Sequence, residues 1–161
     1  TINILKRNNH YMFDRDVFKG GGVGHMIPNI VSSSFQLLGF EITPIAVEHA
    51  AVFTLGYRID DVAYIPDVKR ISSKSKEMLN NLSVLIIDAL SFNPGHPTHL
   101  SVGEAVDIIH ELSPKEAYLT HLTHRIDHRL FRQQCEQQNI DLTPNIHLAY
   151  DGKIIDTSKL S

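Results

Sequence analysis

A chain of 161 residues, 42% apolar and 20% charged, has the length of one domain and the composition of soluble globular proteins. Fifteen basic against eighteen acidic side chains leave a net charge of -3, which removes the electrostatic case for a nucleic-acid partner. The single cysteine, Cys135, excludes an intrachain disulfide and fits a reducing compartment such as the cytoplasm. No apolar run nears the roughly 20 residues that span a bilayer, so no membrane partner is expected. Lys6, Arg7, Asn8, Asn9 and His10 interrupt the start where a secretory signal would continue apolar.

In chain order, "TINILKRNN" places Ile2 and Leu5 at helical spacing and predicts a short helix. "KGGGVG", residues 19 to 24, reads as a flexible loop, because a phosphate-binding loop would end in Lys-Ser/Thr between a strand and a helix. From Phe40 strands take over: "FEITPIAVEH" alternates around Pro44, "AVFTLGYRI" follows, and Asp60-Asp61 turns the chain into "VAYIPD". "ISSKSKEMLNNL" predicts a helix capped by Ser72 or Ser73, with Met78, Leu79 and Leu82 inward. "VLIIDAL" reads as a buried strand, since its four apolar residues run without alternation into Asp88.

Ser101 and Glu104 have the spacing of a capping box, and Val102, Ala105, Val106, Ile109 and Leu112 make one face of the helix it opens. "KEAYLTH" predicts a strand, and "DHRLFRQQCEQQN" an amphipathic helix with Leu130, Phe131 and Cys135 inward. "NIHLAYDGKII" reads as a hairpin turning at Asp151-Gly152. Strands and helices alternate, which defines a mixed α/β (α+β) class in one domain, residues 1 to 161.

Four consecutive strand candidates end in His or Asp: His49, Asp67, Asp88 and His121. Each alone has a plain explanation, because Asp suits turns and a boundary His often serves only as a hydrogen-bonding residue. Their repetition is what points to chemistry, since imidazole and carboxylate are the ligands of zinc, manganese and iron, and binding residues concentrate where strands end. Histidines also crowd "AYLTHLTHRIDH", residues 117 to 128, where His124 and His128, four apart, could equally share a solvated helix face.

"PIAVEHA", "AYIPDVKRI", "VLIIDAL", "HPTHLSVGEAVDIIHELSPKEAYLTHLTH", "DH" and "AYDGKII" occur in this order, and together they resemble the metallo-β-lactamase superfamily, nearest its PhnP-like phosphodiesterase branch. The likeness spans nearly the whole chain and implies part of an αββα sandwich, a mixed sheet with flanking helices. It implies two divalent ions, zinc or manganese, with His49, Asp67 and His121 as ligands and Asp67 as the bridge. By the same resemblance His99 touches the substrate phosphate or leaving group, and Asp88, His96, His124, Asp127 and His128 lie beside the metals or on the substrate side. The H-x-H-x-D-H stretch that supplies most ligands in that superfamily does not occur, and "HYMFDRD" from His10 has the wrong spacing. The resemblance therefore implies a fragment, about the last two thirds of a parent, with an incomplete metal site.

The implied activity of the parent is hydrolysis of a small phosphodiester by a metal-activated hydroxide, with thioester, lactam and RNA as the alternative substrates of the superfamily. The alternative for the chain itself is a non-catalytic half-sandwich, whose open apolar face and strand edges favour a homodimer or larger assembly. Sedimentation over a range of concentrations is expected to give a mass above the 18.1 kDa of one chain. A monomer throughout would mean that the chain closes its own core.

Overall fold

The computed structural model describes residues 2–14, 16, 24–143 and 145–160, so the glycine run at 19–23 lies outside the described residues. The chain divides into two compact units, Thr1–Ser32 and Ser33–Ser161. In the first, the apolar spacing after Thr1 becomes α1 (Ile2–Asn8), and a further turn forms α2 (His10–Phe13). The Met26 N–H donates to the Met12 carbonyl at 2.7 Å within that unit. Among the described residues no helix is long and apolar enough to cross a membrane.

The second unit is built on one mixed sheet whose seven strands lie in sequence order. They are β1 (Phe35–Leu37), β2 (Phe40–His49), β3 (Val52–Ile59), β4 (Val62–Ile65), β5 (Val84–Asp88), β6 (Glu116–Thr120) and β7 (Ile146–Leu148). Strands β1 to β4 pair antiparallel through tight turns. Strands β4 to β7 pair parallel, and each parallel step needs a crossover. The crossovers are α3 (Ser73–Glu77), α4 (Val102–Leu112) and α5 (Phe131–Gln137). Pro44 sits inside β2, opposite Tyr57, and is tolerated because β1 pairs only with Phe40 to Ile42 and leaves the other side of β2 unpaired at Pro44.

One sheet face carries the core. Ile45, Val47, Ala63, Ile65, Leu85, Ile87, Ala117, Leu119 and Ile146 are buried, together with the predicted stripe of α4 and Phe131 and Cys135 of α5. On the other face Phe53, Leu55, Ile59 and Tyr64 are exposed. Along β4 the two sets alternate, Ala63 and Ile65 buried on either side of exposed Tyr64, as a period of two requires. The predicted capping box is present: Ser101 Oγ accepts from the Glu104 N–H and Glu104 Oε2 from the Ser101 N–H. Ser72 caps α3, with its side chain accepting from the Ser75 N–H.

Three local expectations fail for identifiable reasons. Strand β1 is absent from the sequence reading because its turn, Leu38-Gly39, has no Asn-Gly or Asp-Gly signal, yet both residues take positive φ, 53 and 87°. The Asp151-Gly152 turn forms with Gly152 at φ 82°, but no second hairpin arm follows. Strand β7 is only three residues long and pairs with β6, while Lys153 is drawn over the Tyr118 and Tyr150 rings. Leu130 is 49% exposed rather than inward, because α5 starts at Phe131 rather than at Asp127 and Leu130 occupies its cap.

Gly56 on β3 faces Ile45 across the ladder and lies under β4. A Cβ there would sit 3.0 Å from the Tyr64 carbonyl oxygen and 3.1 Å from Ile65 Cγ1, tighter than most real contacts, so the neighbouring backbone would have to shift by a few tenths of an ångström. Gly56→Ala is expected to destabilise the sheet by about 1–3 kcal/mol, the usual range for overpacking, as measured by urea unfolding.

Candidate metal centre

Parallel pairing brings the ends of β4, β5 and β6 to one edge, in register at Ile65↔Ile87 and Asp88↔Thr120. Asp67, Asp88 and His121 therefore emerge together at the carboxyl ends, where open α/β sheets place their ligands. Strand β2 delivers His49 to the same edge through an isolated bridge, Glu48↔Arg70. In that bridge the Glu48 N–H donates to the Arg70 carbonyl at 2.9 Å and the Lys69 N–H to the Glu48 carbonyl at 2.7 Å. Two further bonds hold the Asp67 loop: Thr54 Oγ1 donates to the Asp67 carbonyl at 3.0 Å, and the Val68 N–H donates to Asp88 Oδ2 at 3.1 Å.

The resulting cluster is dense. His49 Nε2 lies 2.8 Å and His99 Nδ1 3.3 Å from Asp67 Oδ1, and His99 Nδ1 is 2.9 Å from Asp88 Oδ2. The His99 ring centroid is 4.7 Å from that of His49, 4.7 Å from His121 and 5.1 Å from His96. Ligating atoms of His49, Asp67 and His99 all lie within 4.8 Å of one another. Asp67 Oδ1 is buried and has no hydrogen-bond partner, although His49 Nε2 touches it. A buried, unpartnered carboxylate oxygen is costly unless a cation satisfies it. The donor set therefore fits a divalent metal.

Asp88 is fully buried, and burial raises its pKa above the ordinary carboxylate value, although the Val68 N–H and His99 act in the opposite direction. His121 adopts left-handed backbone at φ 62°, a conformation that non-glycine residues take mainly where surroundings impose it. His128 lines a cleft of about 470 Å³ with His121 and Tyr150. His96 is exposed and its Nδ1 lies 2.9 Å from Thr98 Oγ1. Among the described residues no contact joins His124 or Asp127 to the cluster. Both are exposed, and the Asp127 carboxylate accepts the Arg129 N–H at 2.8 Å, which makes it a turn residue.

A supporting ion pair lies outside the strand-end pattern. Lys69 Nζ contacts Glu104 Oε1 at 2.7 Å and Oε2 at 3.0 Å. It ties the Asp67 loop to the cap of α4, two residues beyond His99. Lys69 stands in the quoted "AYIPDVKRI" stretch, and Glu104 was legible only as a cap; their pairing, 35 residues apart, left no local signal.

Residues 1–122 match the model of the Beta-lactamase superfamily domain. The chain belongs to this superfamily, whose metallo-β-lactamase fold is metal-dependent and is that of a hydrolase family. A solved diphosphatase of the PhnP family is 31% identical, with a TM-score of 0.75 over 95% of this chain and 54% of that one. The metallo-beta-lactamase fold protein YhfI of Bacillus subtilis, 23% identical, shares the fold at a TM-score of 0.65 over 90% of this chain and 59% of its own. An octanoyltransferase of Porphyromonas gingivalis (strain ATCC BAA-308 / W83) is 28% identical over 153 residues, 94% of this chain and 30% of that protein. The chain thus spans little more than half of these solved neighbours and less than a third of the curated relative.

The ion pair makes a pH prediction. Burial pushes the Glu104 pKa up, but hydrogen bonds from Lys69 and Ser101 outweigh it, and the net direction is below the ordinary 4.5. A depressed folded-state pKa stabilises fully above the unfolded value and is lost as pH falls through the folded value. Glu104→Gln should therefore flatten the loss of stability on acidification below about pH 4.5, read by thermal unfolding across pH 3 to 7. An unchanged pH profile would show that the pair carries no net stability.

Proposed function

We propose that this chain carries one side of the metal centre of a phosphodiester hydrolase, with His49, Asp67 and His121 as ligands of zinc or manganese. The buried, unpartnered Asp67 Oδ1, approached by His49 and His99, is the observation that carries this reading. A bound divalent ion would offset charge on the transferring phosphoryl group and bring the pKa of water towards about 7. Three protein ligands suffice for one catalytic zinc with an open position and are too few for two ions.

His99 has a different role. Its Nδ1 faces Asp88 Oδ2 at 2.9 Å, which assigns the N–H to that nitrogen and fixes the ring. In the imidazolium form Nε2 carries the ring's second proton, which it would give to the departing oxygen as a general acid, leaving the neutral ring with its N–H on Nδ1. Asp88 thus orients the acid without touching substrate. His96 and His128 flank the site on the substrate side. The diphosphatase neighbour supports a phosphate-containing substrate. Acyl transfer through a thiol is not supported: Cys135 is buried in α5, and burial pushes its pKa up to about 11, which keeps it protonated and unreactive.

Titration of the chain with zinc or manganese is expected to show weak binding below two ions per chain. His49→Ala, Asp67→Ala and His121→Ala should each weaken it by more than the roughly tenfold that follows loss of a mere supporting contact. Unchanged affinity in all three would remove the assigned ligands. The chain alone should hydrolyse a chromogenic bis-aryl phosphodiester negligibly. In the whole protein His99→Ala should lower kcat by about 10²–10⁴, the range for a general acid.

A further inference from the structure

The backbone on either side of Lys69 is fixed. The Val68 N–H donates to Asp88 Oδ2 at 3.1 Å, the Lys69 N–H to the Glu48 carbonyl at 2.7 Å, and the Glu48 N–H to the Arg70 carbonyl at 2.9 Å. From this anchored segment the Lys69 side chain crosses to the first turn of α4. There Nζ meets both oxygens of Glu104, at 2.7 and 3.0 Å. The lysine side chain is 20% exposed and that of Glu104 44%, so the pair is partly shielded from solvent.

The Glu104 carboxylate serves a second donor. Its Oε2 also accepts the Ser101 N–H at 2.8 Å, and Ser101 lies two residues beyond His99. The Leu90 N–H donates to the Leu100 carbonyl and the Val102 N–H to the Ser91 carbonyl, both at 2.9 Å, which lays this stretch along the chain just past Asp88. His99 turns its Nδ1 back to Asp88 Oδ2 at 2.9 Å. The contacts close a ring: Lys69 to Glu104, Glu104 to Ser101, along the chain to His99, then Asp88, Val68 and Lys69 again. The backbone ahead of His99 lies over the pair, since a Cβ on Gly95 would be 3.6 Å from Glu104 Oε2 and 3.9 Å from Lys69 Nζ. A ring held by one hydrogen bond can still swing, and a second anchor on its own backbone removes that freedom. Such freedom is costly in catalysis, where a misplacement of about 1 Å lowers the rate by about 10²-fold.

We propose that Lys69 is a positioning residue of the hydrolytic reaction: its ion pair with Glu104 holds the His99 loop at a fixed distance from the Asp67 loop. The proposal rests on the reading of His99 as general acid and Asp67 as metal ligand. Lys69 acts through Glu104 and Ser101, and its effect is on where the His99 ring sits. The ion pair is separable from the helix cap. Glu104→Gln leaves an oxygen able to accept the Ser101 N–H, as capping boxes allow, but withdraws the charge from Lys69.

The test reads the His99 tautomer by nitrogen-15 NMR in the metal-free chain at about pH 8, above the ordinary histidine range. Loss of signals in His99→Ala identifies the ring. The unsubstituted chain is expected to hold the ring proton on Nδ1, facing Asp88. Lys69→Met keeps the stem without the charge and should give a mixture of tautomers, as should Glu104→Gln. Lys69→Arg grips the same carboxylate and should restore the Nδ1–H form. In the whole protein Lys69→Met should lower kcat by about 10–10²-fold with KM little changed, and Lys69→Arg should recover most of the loss. A pair that merely stabilises would lower the melting temperature of Lys69→Met and leave tautomer and kcat as they were, and that result overturns the proposal. An Nδ1–H form kept in Glu104→Gln, or no recovery in Lys69→Arg, overturns it too. If Lys69→Met does not fold, Glu104→Gln carries the comparison. Full kcat in His99→Ala would instead remove the general acid, while the tautomer still decides whether Lys69 fixes the ring.

Discussion

The rest of the site leans on one buried carboxylate. Asp88 ends β5 with no exposure to solvent, and its Oδ2 takes both the Val68 N–H of the Asp67 loop and the His99 ring. An ionised carboxylate enclosed this way costs several kcal/mol unless paired and hydrogen-bonded. Its partners come from the two loops that carry candidate site residues, so the group that is hardest to bury is also the one that fixes their spacing. Removing it would leave a backbone N–H and an imidazole without their shared acceptor.

Around that hub the fold works by a change of pairing. Antiparallel β2 and β3 bring His49 back to the edge that β4 leaves, and parallel β4, β5 and β6 all finish there. The Glu48↔Arg70 bridge and the Lys69–Glu104 pair then close the gap between the two arrangements. The helices cover one face of the sheet and leave Phe53, Leu55, Ile59 and Tyr64 on the other. The site lies at the edge and not on either face, which keeps it open to a substrate while its backbone stays anchored in ladder hydrogen bonds.

Local chemistry explains which elements could be read ahead of the structure. The Ser101–Glu104 box and the α4 stripe depend on residues three and four apart, so they are visible in the chain itself. So is β5, whose unbroken apolar run fits burial on both faces of a parallel strand. Leu38 in left-handed backbone, the missing arm after Gly152 and the exposed Leu130 were not legible, because each is decided by what packs or pairs against it. The same division runs through the site. His49, Asp67, Asp88 and His121 were candidates because each ends a strand, whereas His124 and Asp127 share the histidine-rich stretch without joining the cluster.

The sequence by itself determined the alternation of strands and helices, the capped helix and the residue types available for a metal, since these rest on spacing along the chain, while the superfamily was legible only through the resemblance that the ordered motifs carry. Only the tertiary structure decided that those ends meet, that Asp67 Oδ1 is left unpartnered, and that Asp88 pairs with His99. It alone set Lys69 against Glu104 and opened a cleft beside His121. These are contacts between residues distant in sequence, and their energies come from burial, charge and geometry that exist only once the sheet has assembled.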